Sequence, residues 1–240
     1  MNNRDRIRNS SPSLFIRLLL SLILMLLITG FTPLRNPARA GSGANPKERE
    51  PVPTTSLPRL DEFREQLRNG LANQVVGVYV PGIMAFPVVQ QPTNNPGYVA
   101  GRADVLTQFS LAASYKTIGL LAHNYLAGEA FFQLQPSQEV HLVFGDGSLS
   151  TYIVDNIAIL QALQPDSPYS SFKEVNQPGK TLSVADAFLR IYGPGDRLVF
   201  QTCVEANGVK SWGRLFVTAL PLEAKLQSLD MFRMKKFILQ

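Results

Sequence analysis

RLVFQTCVEANGVKSWGRLFVTAL, residues 197–220, is the stretch that decides the fold. Its two apolar runs meet at Asn207-Gly208, and Asn-Gly between such runs is the strongest short-range signal for a β-hairpin. Together with six earlier runs, they predict a mainly β fold, a closed antiparallel barrel of about eight strands with a few short helices. The earlier runs are bounded by Gly, Pro, Asn or Asp: VVGVYV (75–80), MAFPVVQ (84–90), YVAGR (98–102), TIGLLAHN (117–124), VHLVF (140–144) and TYIVDNIAIL (151–160).

Four stretches have residue patterns typical of helices. Apolar residues recur at three- and four-residue intervals within residues 59–74, which predicts a short amphipathic helix packed on the domain edge. Ser183 or Thr181 provides an N-cap for the last of the other three stretches. Those three interrupt the strands: LTQFSLAASY (106–115), LAGEAFFQL (126–134) and LSVADAFLRIY (182–192).

The first 40 residues have the pattern of an export signal. A basic start is followed by the apolar run 14–31, broken only by Arg17, and then by the small-residue pattern Ala38-Arg39-Ala40. Two outcomes stay open: cleavage after Ala40, which would secrete the chain, and retention as an N-terminal apolar helix that anchors it in the membrane. The anchor is favoured. Because the basic residues precede the run, the remainder is predicted to lie outside the cytoplasm.

The formal charge of +5 belongs to this leader and not to the folded domain. Residues 1–40 hold six Arg and one acid, whereas residues 41–240 hold 17 basic and 17 acidic side chains. Nucleic-acid binding needs a basic face on the domain itself, so that function is excluded. Residues 41–58 are polar and Pro-rich and predict an extended linker. The barrel domain is assigned to residues 75–221 and a C-terminal tail to 222–240.

The single cysteine, Cys203, precedes the hairpin turn and cannot form an internal disulfide. A loop symmetric about Asn207-Gly208 places Gln201 opposite Arg214. Cys203 and Arg214 are then diagonal neighbours on one sheet face, about 7 to 8 Å apart. A guanidinium near a thiol lowers the thiol pKa and offers donors to a developing oxyanion, so the pair is a candidate catalytic site. The alternatives are a buried, inert thiol or an intermolecular disulfide at Cys203, and a solvated strand residue at Arg214. A three-residue bulged loop would place Arg214 on the other face.

His123 is the better candidate of the two histidines for catalysis. It closes the predicted strand TIGLLAHN and begins a loop, and strand ends and the loops after them present catalytic groups. His141 lies within a plain hairpin whose turn is Asp146-Gly147, so we predict a strand residue that faces solvent. A lone histidine is more often structural, and only the combination with Cys203 and Arg214 favours catalysis.

The order of these residues in a small exported β protein resembles the sortases, the cysteine transpeptidases of bacterial surfaces. The resemblance spans residues 75–221, and of the family's T-L-x-T-C pattern the sequence Val199-Phe200-Gln201-Thr202-Cys203 keeps only Thr-Cys. The matching segments are GLLAHNYLAG around His123, the dipeptide Thr202-Cys203, WGRLFVTA around Arg214, Pro87-Val88-Val89, and the strand pair that flanks Asp146-Gly147.

This resemblance implies a mechanism and a set of partners. Cys203 as thiolate attacks a peptide carbonyl, His123 transfers the amine protons, Arg214 stabilises the oxyanion, and Thr202 contacts the substrate. The implied substrates are exported proteins with a C-terminal sorting signal. An amine of a cell-wall precursor or of another protein is the implied acceptor, and the membrane is contacted through the N-terminal segment. No cofactor or metal ligand is implied, and calcium dependence stays open.

Two other functions remain open from the residues themselves. The same barrel and thiol fit a peptidase or hydrolase in which water resolves the thioacyl enzyme. A non-catalytic cell-surface binding domain that retains the three residues by descent is the third possibility. The sequence does not show which nucleophile resolves the intermediate.

Overall fold

Ten β-strands and a few short helices form the part of the chain described by the computed structural model, residues 57–227 except 166, 168 and 176–178. The strands are β1 (Val75–Val80), β2 (Met84–Gln90), β3 (Leu106–Phe109), β4 (Thr117–Leu121), β5 (Glu139–Phe144), β6 (Leu149–Ala162), β7 (Phe172–Glu174), β8 (Thr181–Leu182), β9 (Arg197–Ala206) and β10 (Val209–Pro221). The α-helices are α1 (Leu60–Gln66), α2 (Ser110–Ala113) and α3 (Val184–Tyr192), and a 3₁₀-helix η1 spans Ala127–Gln133.

Eight of the strands close into a barrel. The hydrogen-bonded order is β10-β9-β4-β3-β2-β1-β5-β6, and β6 pairs again with β10, while β7 and β8 extend the sheet beyond β6. A mainly β, closed eight-stranded barrel is therefore confirmed, but the prediction that it is antiparallel was wrong. Strands β2 and β3 run parallel, as do β4 and β9, so the barrel is mixed. The local side-chain pattern of a strand does not reveal the direction of its neighbour.

Two predicted elements differ in type from the structure. YVAGR forms no strand. LTQF, predicted as the start of a helix, is strand β3, and only the four residues of α2 that follow it are helical. An apolar run this short fits either state, and pairing with β2 and β4 stabilises the strand. The outcome was decided by neighbours distant in sequence.

The other predicted helices are present in shortened form. The amphipathic helix predicted within residues 59–74 is α1, which buries Phe63. The LAGEAFFQL stretch is the 3₁₀-helix η1. Ser183 is the N-cap of α3, because its Oγ accepts a hydrogen bond from the Asp186 backbone N–H at 3.1 Å.

The sheet separates the two larger of the three hydrophobic clusters formed by the described residues. Alternate residues of β9 point to opposite faces, so Leu198 and Phe200 line the barrel core while Val199 belongs to the core outside the barrel. We call the second one the outer core. Helix α3 packs over it through Phe188, Ile191 and Tyr192, among others. One end of the sheet's outer face is thereby covered.

The predicted leader and linker fall in residues 1–56, outside the described part of the chain, and stay predictions. Among the residues that are described, no helix has both the length and the apolar character needed to cross a membrane. Of the predicted C-terminal tail, residues 222–227 are described and are helical.

Candidate active site

The β9–β10 hairpin brings Cys203 and Arg214 directly opposite each other. Asn207 and Gly208 form the turn with φ values of 53° and 75°, as the Asn-Gly signal predicts. Val209 pairs with Ala206, as a symmetric loop requires, but Arg214 pairs with Cys203 and not with Gln201.

A bulge in β10 causes this difference from the predicted register. Residues 210–212 lie opposite the single residue Glu205, so β10 gains two extra residues before pairing resumes at Gly213 with Val204. An even number of extra residues preserves the alternation of faces. The predicted shared face is therefore confirmed, and the predicted diagonal separation is corrected to direct opposition, where paired Cα atoms lie about 4.5 to 5.5 Å apart.

Arg214 is buried without a carboxylate partner. Its side chain is 2% exposed, and no Asp or Glu of the described residues lies within ion-pair distance of it. Nη1 donates to the backbone oxygens of Ser211 (3.1 Å) and Gly213 (2.8 Å), which belong to the bulge region. Nε is buried with no hydrogen-bond partner. Since a buried charge is costly unless it is paired, the arrangement requires an explanation.

The parallel pairing of β4 with β9 brings His123 level with Cys203. Leu121 pairs with Gln201, and beyond the last paired residue Ala122 N–H still donates to the Gln201 carbonyl at 3.3 Å. His123 lies two residues beyond Leu121, just after the end of β4, and Cys203 lies two residues beyond Gln201 in β9. The backbone of His123 is therefore level with Cys203, which pairs with Arg214. The three residues thus lie in one row across the segment that follows β4, β9 and β10.

Thr202 lies on the opposite face from its neighbour Cys203. It is 1% exposed, and its Oγ1 donates to the Ala122 carbonyl at 2.9 Å. The hydroxyl thus joins β9 to the segment that carries His123. This placement favours a supporting role, and the substrate contact predicted for Thr202 stays a prediction.

Close packing at Gly128 holds the His123 turn, which leads to a stability prediction. A Cβ there would overlap Thr202 Oγ1 and lie 2.7 Å from the His123 carbonyl oxygen, which is backbone and cannot move cheaply. We expect Gly128→Ala to lower the free energy of unfolding by about 1–3 kcal/mol in thermal or denaturant unfolding. Gly101→Ala is the matched control, because a Cβ at Gly101 meets nothing within 4 Å. Equal stability of the two variants would contradict the tight packing.

Burial sets the protonation of both titratable candidates. Burial raises the pKa of the Cys203 thiol above its ordinary value of 9.0, and the positive charge of Arg214 opposes this only in part. Burial also lowers the pKa of His123 below 6.5, against a smaller upward effect of a hydrogen bond to the Val99 backbone. Arg214 thus lowers the thiol pKa, as a nearby guanidinium is expected to do, but desolvation has the larger effect and the pKa is raised overall. At neutral pH both groups are uncharged.

Two contacts of the site escaped sequence reasoning. The Tyr125 ring stacks on the His123 ring, with centroids 5.3 Å apart and planes 24° apart. Behind Cys203, the buried Tyr192 hydroxyl donates to Gln201 Oε1 at 2.7 Å and joins α3 to β9. The only sequence signal for the first contact was that Tyr125 follows His123 by two residues. This spacing brings the two rings together only if the chain turns between them, and the turn is seen only in the structure.

His141 and two clefts of the described part of the chain lie away from Cys203. His141 is half-buried in β5, where its Nδ1 lies 3.2 Å from Thr151 Oγ1. Two clefts of about 290 and 390 Å³ are lined by other residues and contain neither His123 nor Cys203.

Within the described ranges, no three His, Cys, Asp or Glu side chains lie close enough to hold a metal ion. The prediction that no cofactor is needed stays a prediction.

Comparison with known proteins finds similar solved structures. No family model and no curated protein matches the chain. Sortase A from Listeria monocytogenes is 12% identical at a TM-score of 0.40, covering 61% of this chain and 86% of that one. Sortase C-1 from Actinomyces oris is 12% identical at 0.42, with 73% and 82% covered. Sortase E1 from Streptomyces coelicolor, solved with a tripeptide in the active site, is 16% identical at 0.39, with 64% and 91% covered. These likenesses are distant, so we derive the function from this chain's own geometry.

Proposed function

We propose that the chain is a sortase-type cysteine transpeptidase, in which Cys203 is the nucleophile, His123 the general acid and base, and Arg214 the oxyanion donor. The substrates would be exported proteins with a C-terminal sorting signal, and the acceptor an amine of a cell-wall precursor or another protein. The folded domain would act outside the cytoplasm, anchored by the N-terminal segment. The partners follow from the sequence resemblance, and the location follows from the basic and apolar pattern of residues 1–40.

The buried, unpaired guanidinium opposite the only thiol is the observation that carries the proposal. A structural arginine at 2% exposure would be expected to pair with a carboxylate, and none of the described residues supplies one. The Arg214 N–H donors could instead serve a negative charge that is absent at rest and forms only during a reaction. A thiolate on Cys203, and then the oxyanion of a tetrahedral intermediate beside it, are such charges.

The first half of the reaction uses groups that start uncharged. The Cys203 proton moves to His123, and the resulting thiolate attacks the carbonyl carbon to form a carbon–sulfur bond. The imidazolium then gives its proton to the departing amine nitrogen as the carbon–nitrogen bond breaks. A thioacyl enzyme and a free amine result, with His123 again neutral.

The second half reverses these roles. Neutral His123 takes a proton from the incoming amine, which attacks the thioester, and the new amide forms as Cys203 leaves and is reprotonated. If water attacks instead, the product is a carboxylic acid and the protein is a thiol hydrolase. If no thioacyl enzyme forms in the first place, the domain binds its partner without chemistry.

Mass spectrometry of the intact protein tests these functions. The protein is incubated with peptides ending in a short polar motif, an apolar helix and a basic tail, with and without an amine such as oligoglycine. We expect an acyl adduct on Cys203 and, when the amine is present, a ligated peptide. A free acid alone would favour the hydrolase, and the absence of any adduct across the peptide set would favour the binding domain.

The shifted pKa of Cys203 predicts the pH dependence of its alkylation, which needs no substrate. Because the thiolate is the reactive form, we expect slow reaction with iodoacetamide at pH 7 and a midpoint above 9.0. Arg214 lowers the thiol pKa, so Arg214→Ala should move the midpoint further upward and slow alkylation at any pH below it. Arg190→Ala, which removes an exposed arginine paired with Glu174, is the matched control. A midpoint at or below 9.0 would contradict the burial argument.

A further inference from the structure

Tyr125 makes an unusual contact for an exposed side chain. It is 64% exposed, yet its ring lies against the imidazole of His123 in a stacked arrangement, with 5.3 Å between centroids and 24° between planes. Tyrosines on exposed turns ordinarily extend into solvent. Here the aromatic ring covers one face of the histidine instead.

The turn after β4 produces this contact. The His123 carbonyl accepts hydrogen bonds from the backbone N–H groups of Leu126 and Gly128, both at 3.0 Å. The chain therefore reverses at once, and residue 125 lies beside residue 123. Thr202 and the tight packing at Gly128 hold the same turn from the barrel side. These contacts fix the backbone that carries both rings, so the turn itself places Tyr125 beside His123.

The ring of Tyr125, and not its hydroxyl, makes the contact. Among the described residues the Tyr125 hydroxyl has no hydrogen-bond partner in the structure. One face of the imidazole is therefore covered, which leaves fewer orientations for a side chain that otherwise rotates about two bonds.

We infer that Tyr125 is a positioning residue, whose ring holds the imidazole of His123 in one orientation on the row that contains Cys203 and Arg214. This inference rests on the proposed function for the role of His123. Proton transfer requires the imidazole nitrogen within hydrogen-bond reach of both the sulfur and the amine, and misplacement by about 1 Å costs up to about 100-fold in rate. An aromatic stack restrains the ring without using either nitrogen.

Three variants separate this role from general structural support. Tyr125→Ala removes the ring, Tyr125→Phe keeps it and removes the hydroxyl, and Tyr169→Ala removes a tyrosine of similar exposure (62%) that has no ring contact among the described residues. The sequence contains only His123 and His141, so the imidazole proton resonances are few, and a His141→Gln variant assigns them.

We expect an upfield ring-current shift on His123 in the wild type, in Tyr125→Phe and in Tyr169→Ala, and its loss in Tyr125→Ala. Thioacyl formation should fall roughly 10-fold in Tyr125→Ala and stay within about twofold in the other two variants. Unchanged His123 resonances in Tyr125→Ala, or loss of the stack with an unchanged acylation rate, would overturn the inference. A wild type that shows the stack and forms no thioacyl enzyme would instead contradict the proposed function and support the restraint of the ring by Tyr125.

Discussion

Replacing Cys203 by alanine is expected to abolish thioacyl formation, by roughly 1,000-fold or more, to the background of the assay. The hydroxyl next to Cys203 in the chain is not placed to take over. The adjacent Thr202 hydroxyl points to the other face of the sheet and donates to the Ala122 carbonyl. Intact-protein mass spectrometry with the peptide set measures the adduct directly.

Thr202→Ser is the matched control for this variant, because it keeps the hydroxyl on the same strand and on the barrel side. It should acylate close to the wild-type level. Thermal unfolding of Cys203→Ala should show a loss of only about 1 kcal/mol, since a buried thiol is a small apolar group. An adduct that persists in Cys203→Ala would place the reaction at another nucleophile and remove the proposed role of the thiol.

The second large effect is expected at Arg214. Lysine keeps the positive charge but lacks the planar, paired donors of a guanidinium, so Arg214→Lys should restore little of the activity lost in Arg214→Ala. We expect acylation to fall on the order of 100-fold or more in both variants. Rates of thioacyl formation at fixed peptide concentration measure this loss.

Stability separates a functional Arg214 from a structural one. Because the guanidinium is buried and none of the described residues gives it a carboxylate, an apolar residue of similar length removes a desolvation cost. Arg214→Met should therefore unfold at a temperature equal to or above that of the wild type while losing activity. Arg190→Ala serves again as the control for removal of an arginine. Near-wild-type acylation in Arg214→Ala, or joint loss of stability and activity in Arg214→Met, would contradict the oxyanion role.

Much of the fold could be predicted from the sequence because its signals are local. The Asn207-Gly208 turn needs two adjacent residues with positive φ, and both have them. Ser183 caps α3 through a hydrogen bond within three residues. The alternating pattern of β9 and β10 predicted that Cys203 and Arg214 share one face of the sheet. They still share it in the structure, because the bulge adds two residues and an even number preserves the alternation.

Other features of the candidate site were decided only by tertiary structure, because they depend on residues distant in the chain. The parallel pairing of β4 with β9 brings His123 level with Cys203, and no pattern near either residue encodes that register. The bulge at residues 210–212 converts a diagonal pair into a direct one. The depth of burial decides the direction of the Cys203 pKa, since desolvation depends on everything packed around the thiol.

The sequence alone therefore determined which residue types are available, the turn that joins β9 to β10, and the face that Cys203 and Arg214 share. Only the tertiary structure decided that His123 is level with Cys203, that Arg214 is buried with no carboxylate partner among the described residues, and that Tyr125 covers the imidazole. The physical reason is that turns, caps and side-chain alternation arise from interactions over a few residues. Strand neighbours, register and desolvation arise from the packing of the whole barrel.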